Sequence, residues 1–235
     1  MLKVSRLPSG EPEIFYSLQG EGVTAGVPTV FLRLANCNLS CSWCDTKYTW
    51  DWQSYDSRRE VMELSDDDAH ARILAFECPH LVITGGEPLM QQRALGSVVS
   101  RLASQGFFCE VETNGTLEPT LQMTKAIAQW NVSPKLANSA NKASRREVPD
   151  ALRAFRELDN AYFKFVVAEP ADVDEVCKLI ERHDLPSCRV LLMPEGTTSR
   201  VVSERGKWVA QACADRGFRF TTRHHILLWG DQRGR

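Results

Sequence analysis

Seven short apolar runs recur along this 235-residue chain, and amphipathic stretches separate most of them. The runs span 29–35 (TVFLRLA), 80–86 (HLVITGG), 107–115 (FFCEVETNG), 130–134 (WNVSP), 162–168 (YFKFVVA), 188–194 (CRVLLMP) and 218–224 (FRFTTRH). Helical patterns fall at 65–76, 91–104, 118–129, 150–158, 171–183 and 199–215, the first opened by Ser65 and Asp68 in a capping-box spacing. Strand–helix alternation of this kind builds βαβ units on a parallel sheet, as an open sheet or an incomplete barrel. In both, chemistry collects at the C-terminal ends of the strands. No repeat, low-complexity segment or Pro/Gly/Ser linker divides the chain, so residues 1–235 are expected to form one domain.

Hydrophobic residues make up 43% and the formal net charge is −2, the profile of an ordinary globular protein. Such a balance offers no general electrostatic case for nucleic acid or an anionic membrane as partner. The stretch MLKVSRLPSGEPEIF has no continuous apolar core, and no apolar run approaches the ~20 residues of a membrane span. A cytoplasmic location is expected. There, eight cysteines serve as thiols or metal ligands rather than disulfides. Cys78, Cys109, Cys177, Cys188 and Cys213 are scattered singly and read as small buried hydrophobes.

The other three, Cys37, Cys41 and Cys44, follow the first strand in the pattern C-x3-C-x2-C. Thiolates suit zinc or iron–sulfur clusters. A structural zinc wants a fourth protein ligand, which Asp45 or a distant histidine could supply. A four-iron cluster on three thiolates keeps one iron open to an exchangeable ligand.

C-x3-C-x2-C at the end of a first strand resembles the radical S-adenosylmethionine superfamily, in which the open iron binds the cofactor's amino and carboxylate groups. Cleavage of the sulfonium then yields a 5′-deoxyadenosyl radical. Further strand ends agree. In TGGEP (84–88) glycines allow close backbone approach, and carbonyls with an acid suit an ammonium group. The resemblance assigns Gly85, Gly86 and Glu87 to the cofactor. ETNGT (112–116) and SPK (133–135) also close strands. There Glu112, Asn114 and Ser133 are expected at the ribose and Lys135 at the cofactor carboxylate. Trp43 and Asp45, in the cysteine loop, are also assigned to the cofactor. Trp43 would shield the cluster and pack on adenine, or serve as plain hydrophobic cover.

The stretch EIFYSLQGEGVTAGVPTVFLRLANCNLSCSWCDTKYTW closely resembles the 7-carboxy-7-deazaguanine synthases, and HILLWGDQRGR resembles the ending found in part of that family. The resemblance spans nearly the whole chain and implies an α/β partial barrel of the TIM type, with about six parallel strands and few helices. It implies conversion of 6-carboxy-5,6,7,8-tetrahydropterin to 7-carboxy-7-deazaguanine, with hydrogen abstraction at C6, ring contraction and loss of ammonia. Its cofactors would be a 4Fe-4S cluster, S-adenosylmethionine and Mg2+, and its reductant an external flavodoxin or ferredoxin. The family is commonly homodimeric.

For the substrate, the resemblance points to Leu18, Gln19, Gly20, Glu21, Arg33 and Thr84. Gln19 and Glu21 can accept from pterin N–H donors. Arg33 shares a strand face with Phe31 and Ala35, opposite Val30, Leu32 and Leu34. Buried, it needs an anion, either a protein acid or the substrate carboxylate. The family pattern favours the substrate. Thr46 matches the family's magnesium-contacting hydroxyl, a single weak ligand that substrate oxygens and water would have to supplement. His224 and His225 read as structural, and DQRGR as a solvated tail. Two other readings are an activating enzyme acting on a protein partner and a non-catalytic zinc-binding module.

Overall fold

All seven expected strands form, and they form one parallel set. A computed structural model describes residues 1–235. Its ten strands are β1 (Leu2–Ser5), β2 (Ile14–Leu18), β3 (Pro28–Leu34), β4 (Val61–Leu64), β5 (His80–Gly85), β6 (Phe108–Thr113), β7 (Gln129–Val132), β8 (Ala161–Val167), β9 (Val190–Pro194) and β10 (Arg219–Phe220). β3, β5, β6, β7, β8, β9 and β10 run parallel in that order. β1 and β2 lie antiparallel against β3, and β4 pairs with β1.

The six expected helices are present as Asp66–Leu74, Gln92–Ser104, Leu121–Ala126, Pro149–Arg156, Pro170–His183 and Ser199–Arg216. Ser65 caps the first, its Oγ accepting the Asp68 N–H at 3.0 Å. Asp68 answers by accepting the Ser65 hydroxyl rather than its backbone N–H, half of a capping box. The expected helix at 118–129 is shorter, because Thr120 caps it late and β7 begins at Gln129. The expected strand at 218–224 pairs over two residues only, since the chain turns into a last helix, His224–Trp229. Of the five scattered cysteines, Cys109 and Cys213 are buried as expected, Cys78 and Cys177 are only half-buried, and Cys188 is exposed. No helix is long and apolar enough to cross a membrane.

Strand alternation separates two chemistries. Leu32, Leu34, Leu81, Ile83, Val111, Trp130, Val132, Phe163 and Phe165 point to the helices and form the main core. The other face carries polar residues, Thr84, Glu110, Asn131 and Lys164 buried and Arg33 and Glu112 half-buried. The sheet stays open, its order running from β10 to β4 without closure. The loop after β2 seals the gap: Gly22 N–H donates to Thr221 Oγ1 at 2.9 Å, and His224 N–H to the Gly20 carbonyl at 2.9 Å.

Candidate functional site

The C-terminal ends of the parallel strands surround a cavity of about 410 Å³. Cys37, Cys41 and Cys44 line one side of it. Each sulfur accepts an N–H: Cys37 from Leu39 at 3.4 Å, Cys41 from Asn141 Nδ2 at 3.3 Å and Cys44 from Trp50 Nε1 at 3.3 Å. Burial pushes the Cys37 thiol up to about 12 and raises that of Cys41. Thr46 also borders the cavity, its hydroxyl 3.6 Å from Cys44 Sγ.

The TGGEP turn lies against this loop. A Cβ on Gly85 would stand 2.1 Å from the Leu34 carbonyl oxygen, and one on Gly86 would stand 1.9 Å from that of Asn36. Gly85 also has φ +110°. These glycines therefore let two backbones meet, while both also face the cavity. Glu87 turns away from it. Fully buried, it accepts from Leu89 N–H, Thr113 Oγ1 and Asn114 N–H at 3.0, 2.8 and 2.7 Å, joining the turn to the end of β6. Burial raises its carboxyl, against the pull of those donors.

Farther along the rim, Thr84 donates to Glu112 at 2.7 Å, and Asn114 Nδ2 reaches Asn38 at 2.9 Å. Lys135 Nζ contacts Ser133 Oγ at 2.9 Å and lies 5.5 Å from the Trp43 ring centre, whose indole N–H is held by Asn138. All six of Thr84, Glu112, Asn114, Ser133, Lys135 and Trp43 line the cavity.

The cavity wall also carries a charge network, joined to the cysteine loop through Asp45. Leu18 and Gly20 form part of that wall. Gln19 donates to Glu110 at 3.0 Å and to Glu112 at 3.3 Å. Glu21 accepts from Lys164 Nζ at 2.5 Å and Arg223 Nε at 3.0 Å, with His225 at 3.9 Å. Burial alone would raise the Glu21 carboxyl, yet Lys164 and Arg223 hold it well below the usual range. Asp45 pairs with Arg223 and is likewise lowered against its own burial. Arg33 does meet a protein acid: its Nε donates to the fully buried Glu13 at 2.8 Å. Its two terminal nitrogens make no hydrogen bond, and the side chain lines the cavity.

Several site residues escape sequence reasoning. Lys164 carried a signal, a lysine inside the apolar strand YFKFVVA. Arg223 and Glu13 carried none, because their partners lie far away in sequence. His225, read as structural, lines the cavity. The DQRGR segment is exposed at Asp231, Gln232 and Arg235, as a solvated tail would be, yet these three and the half-buried Arg233 also border the cavity.

Residues 33–198 match the model of the radical SAM superfamily. A 7-carboxy-7-deazaguanine synthase of Pyrobaculum aerophilum is 38% identical over 95% of this chain and 96% of its own length. The chain belongs to the 7-carboxy-7-deazaguanine synthases. The family's member from Halobacterium salinarum is 37% identical over 93% of this chain and 90% of its own. The crystal structure of QueE from Escherichia coli superposes with a TM-score of 0.71 at 28% identity, over 95% and 94% of the two chains. Membership makes the protein a radical SAM lyase with a 4Fe-4S cluster and S-adenosylmethionine as cofactors. The site's donors fit that cluster. Three cavity-facing sulfurs each receive an N–H, which offsets thiolate charge. No three Cys, His, Asp or Glu side chains converge on one point as ligands of a single metal ion.

Proposed function

We propose that this cavity holds 6-carboxy-5,6,7,8-tetrahydropterin beside S-adenosylmethionine and that the chain converts it to 7-carboxy-7-deazaguanine with release of ammonia. The observation that carries this is one cavity lined both by the three cysteines and by Arg33, Glu21 and Lys164. When bound, the cluster and S-adenosylmethionine supply a 5′-deoxyadenosyl radical able to remove the C6 hydrogen.

The residues of the chain do the rest. Cys37, Cys41 and Cys44 hold the cluster. The backbone of Gly85 and Gly86 receives the cofactor's ammonium, and Glu87 fixes that turn from behind. Ser133, Asn114 and Glu112 face the ribose, Lys135 the carboxylate, and Trp43 and Asp45 the remaining cofactor surface. Leu18, Gln19, Gly20 and Glu21 receive the pterin ring edge, and Thr84 orients beside it. Arg33 offers its free terminal nitrogens to the substrate carboxylate in a charge-assisted fork. Thr46 contributes one oxygen to Mg2+, with the substrate supplying others. The other five cysteines are dispersed, so the electron comes from an external flavodoxin or ferredoxin.

Anaerobic reconstitution with iron and sulfide, then turnover with reductant, S-adenosylmethionine and the carboxypterin, tests this. Mass spectrometry should detect 7-carboxy-7-deazaguanine, and Cys41→Ala should abolish it. Cofactor cleavage that leaves the pterin intact would discard the substrate.

A further inference from the structure

Arg233 is the one cation of the 230–235 segment that is tied on three sides. Its guanidinium lies 3.6 Å over the Tyr48 ring, its Nη1 donates to Glu60 at 2.8 Å, and its Nε reaches Glu13 Oε2 at 3.4 Å. Cation–ring contact and charged hydrogen bonds together fix such a group in orientation. Gly230 and Gly234, at φ +74° and +81°, turn the chain on either side of it.

Glu13 is the shared partner. It is fully buried, and its other oxygen accepts from Arg33 Nε at 2.8 Å and from the Tyr48 hydroxyl at 2.9 Å. Two guanidiniums thus divide one carboxylate, Arg233 on Oε2 and Arg33 on Oε1. A lone arginine facing a lone carboxylate prefers the bidentate fork. Arg33 does not make that fork: only its Nε meets Glu13, on Oε1, while Oε2 is approached by Arg233, and its terminal nitrogens make no hydrogen bond.

We propose that Arg233 is a positioning residue: by occupying one oxygen of Glu13 and clamping segment 230–235 on Tyr48, it keeps the Arg33 fork free for the substrate's carboxylate. This rests on Arg33 being the carboxylate anchor. Without Arg233, Arg33 closes onto both oxygens of Glu13 and the anchor is lost, although Arg33 itself is unchanged.

The test compares reconstituted wild type, Arg233→Ala, Arg233→Lys and Arg33→Lys. KM for the carboxypterin is read against the competitive inhibition constant of the same tetrahydropterin without its carboxylate. In Arg233→Ala, KM should rise about tenfold, the loss of one charged contact, with kcat changed far less. The inhibition constant of the carboxylate-free compound should stay within about twofold, well under the tenfold that one such contact represents. Arg233→Lys should fall between, because an ammonium can hold Glu13 but cannot stack flat while also reaching Glu60. If both constants rise together in Arg233→Ala, the residue merely holds the cavity wall and the proposal is overturned. An unchanged KM in Arg233→Ala with a raised one in Arg33→Lys overturns the coupling alone. An unchanged KM in Arg33→Lys overturns the anchor, and the coupling with it.

Discussion

Glu21 sits between Lys164 and Arg223, each less than a tenth exposed. Removing one member of a buried ion set leaves its partners uncompensated, at about 3–5 kcal/mol. Here Glu112 stands 3.9 Å from Lys164 and Asp45 pairs with Arg223, which softens the loss. Glu21→Gln should therefore destabilise the fold near neutral pH by about 3 kcal/mol, the lower end of that range. The sign with pH follows from its lowered carboxyl. A depressed folded-state value contributes stability that is full above the unfolded-state value near 4.5 and fades as pH falls through the folded one. The gap between wild type and Glu21→Gln in thermal unfolding should persist at neutral pH and narrow below the ordinary carboxylate range. A gap that widens in acid would contradict the charge assignment.

At the scale of elements, the end of β5 and the cysteine loop share one contact that tolerates no side chain. Gly86→Ala would drive a Cβ into the Asn36 carbonyl, next to Cys37, and both neighbours are backbone. Overpacking of this kind costs about 1–3 kcal/mol. Because Cys37 must move as the chains part, Gly86→Ala should bind less iron per chain after reconstitution. Gly206→Ala is the control. It lies within helix Ser199–Arg216, where the new methyl meets only the Phe220 ring at 3.8 Å. Alanine there should raise stability by about 0.5–1 kcal/mol and leave iron content unchanged. The same elements explain what sequence could reveal. Cys37, Asn114 and Ser133 come just after a strand and Gly85 ends one, so patterning placed them at strand ends, while the family resemblance gave them their roles. β1, β2 and β4 have four or five residues and pair antiparallel without a helical crossover, so no alternation announced them. Likewise FRFTTRH has strand chemistry over seven residues, but pairing depends on a neighbour, and past Thr221, whose N–H still reaches Leu192, the chain leaves β9.

For the whole molecule, the decisive contacts join distant parts of the chain, and this is why the pairings in the charged half of the site were illegible although Glu21, Arg33 and Asp45 were named from the sequence. Lys164 meets Glu21 across 143 positions, Arg223 meets Asp45 across 178 and Arg233 meets Glu13 across 220. Each is a lone charge whose partner only the closed fold supplies. The loop that seals the open sheet meets Glu110, a fully buried carboxylate. It accepts from Gln19 at 3.0 Å, Thr24 at 2.9 Å, Gln129 at 2.9 Å and Asn131 at 3.1 Å, with His80 Nε2 at 3.3 Å. Two of those donors, Gln19 and Thr24, belong to the loop that seals the open sheet. Glu110→Gln keeps the shape but sets an amide N–H2 against neighbouring donors, each unsatisfied group costing about 1–3 kcal/mol. The seam should loosen before the ladder does. In hydrogen exchange, the amides of Gly22 and His224, which bridge the gap, should lose more protection than those between β3 and β5. Equal loss at both places would mean that Glu110 supports the sheet as a whole and that the seam has some other anchor.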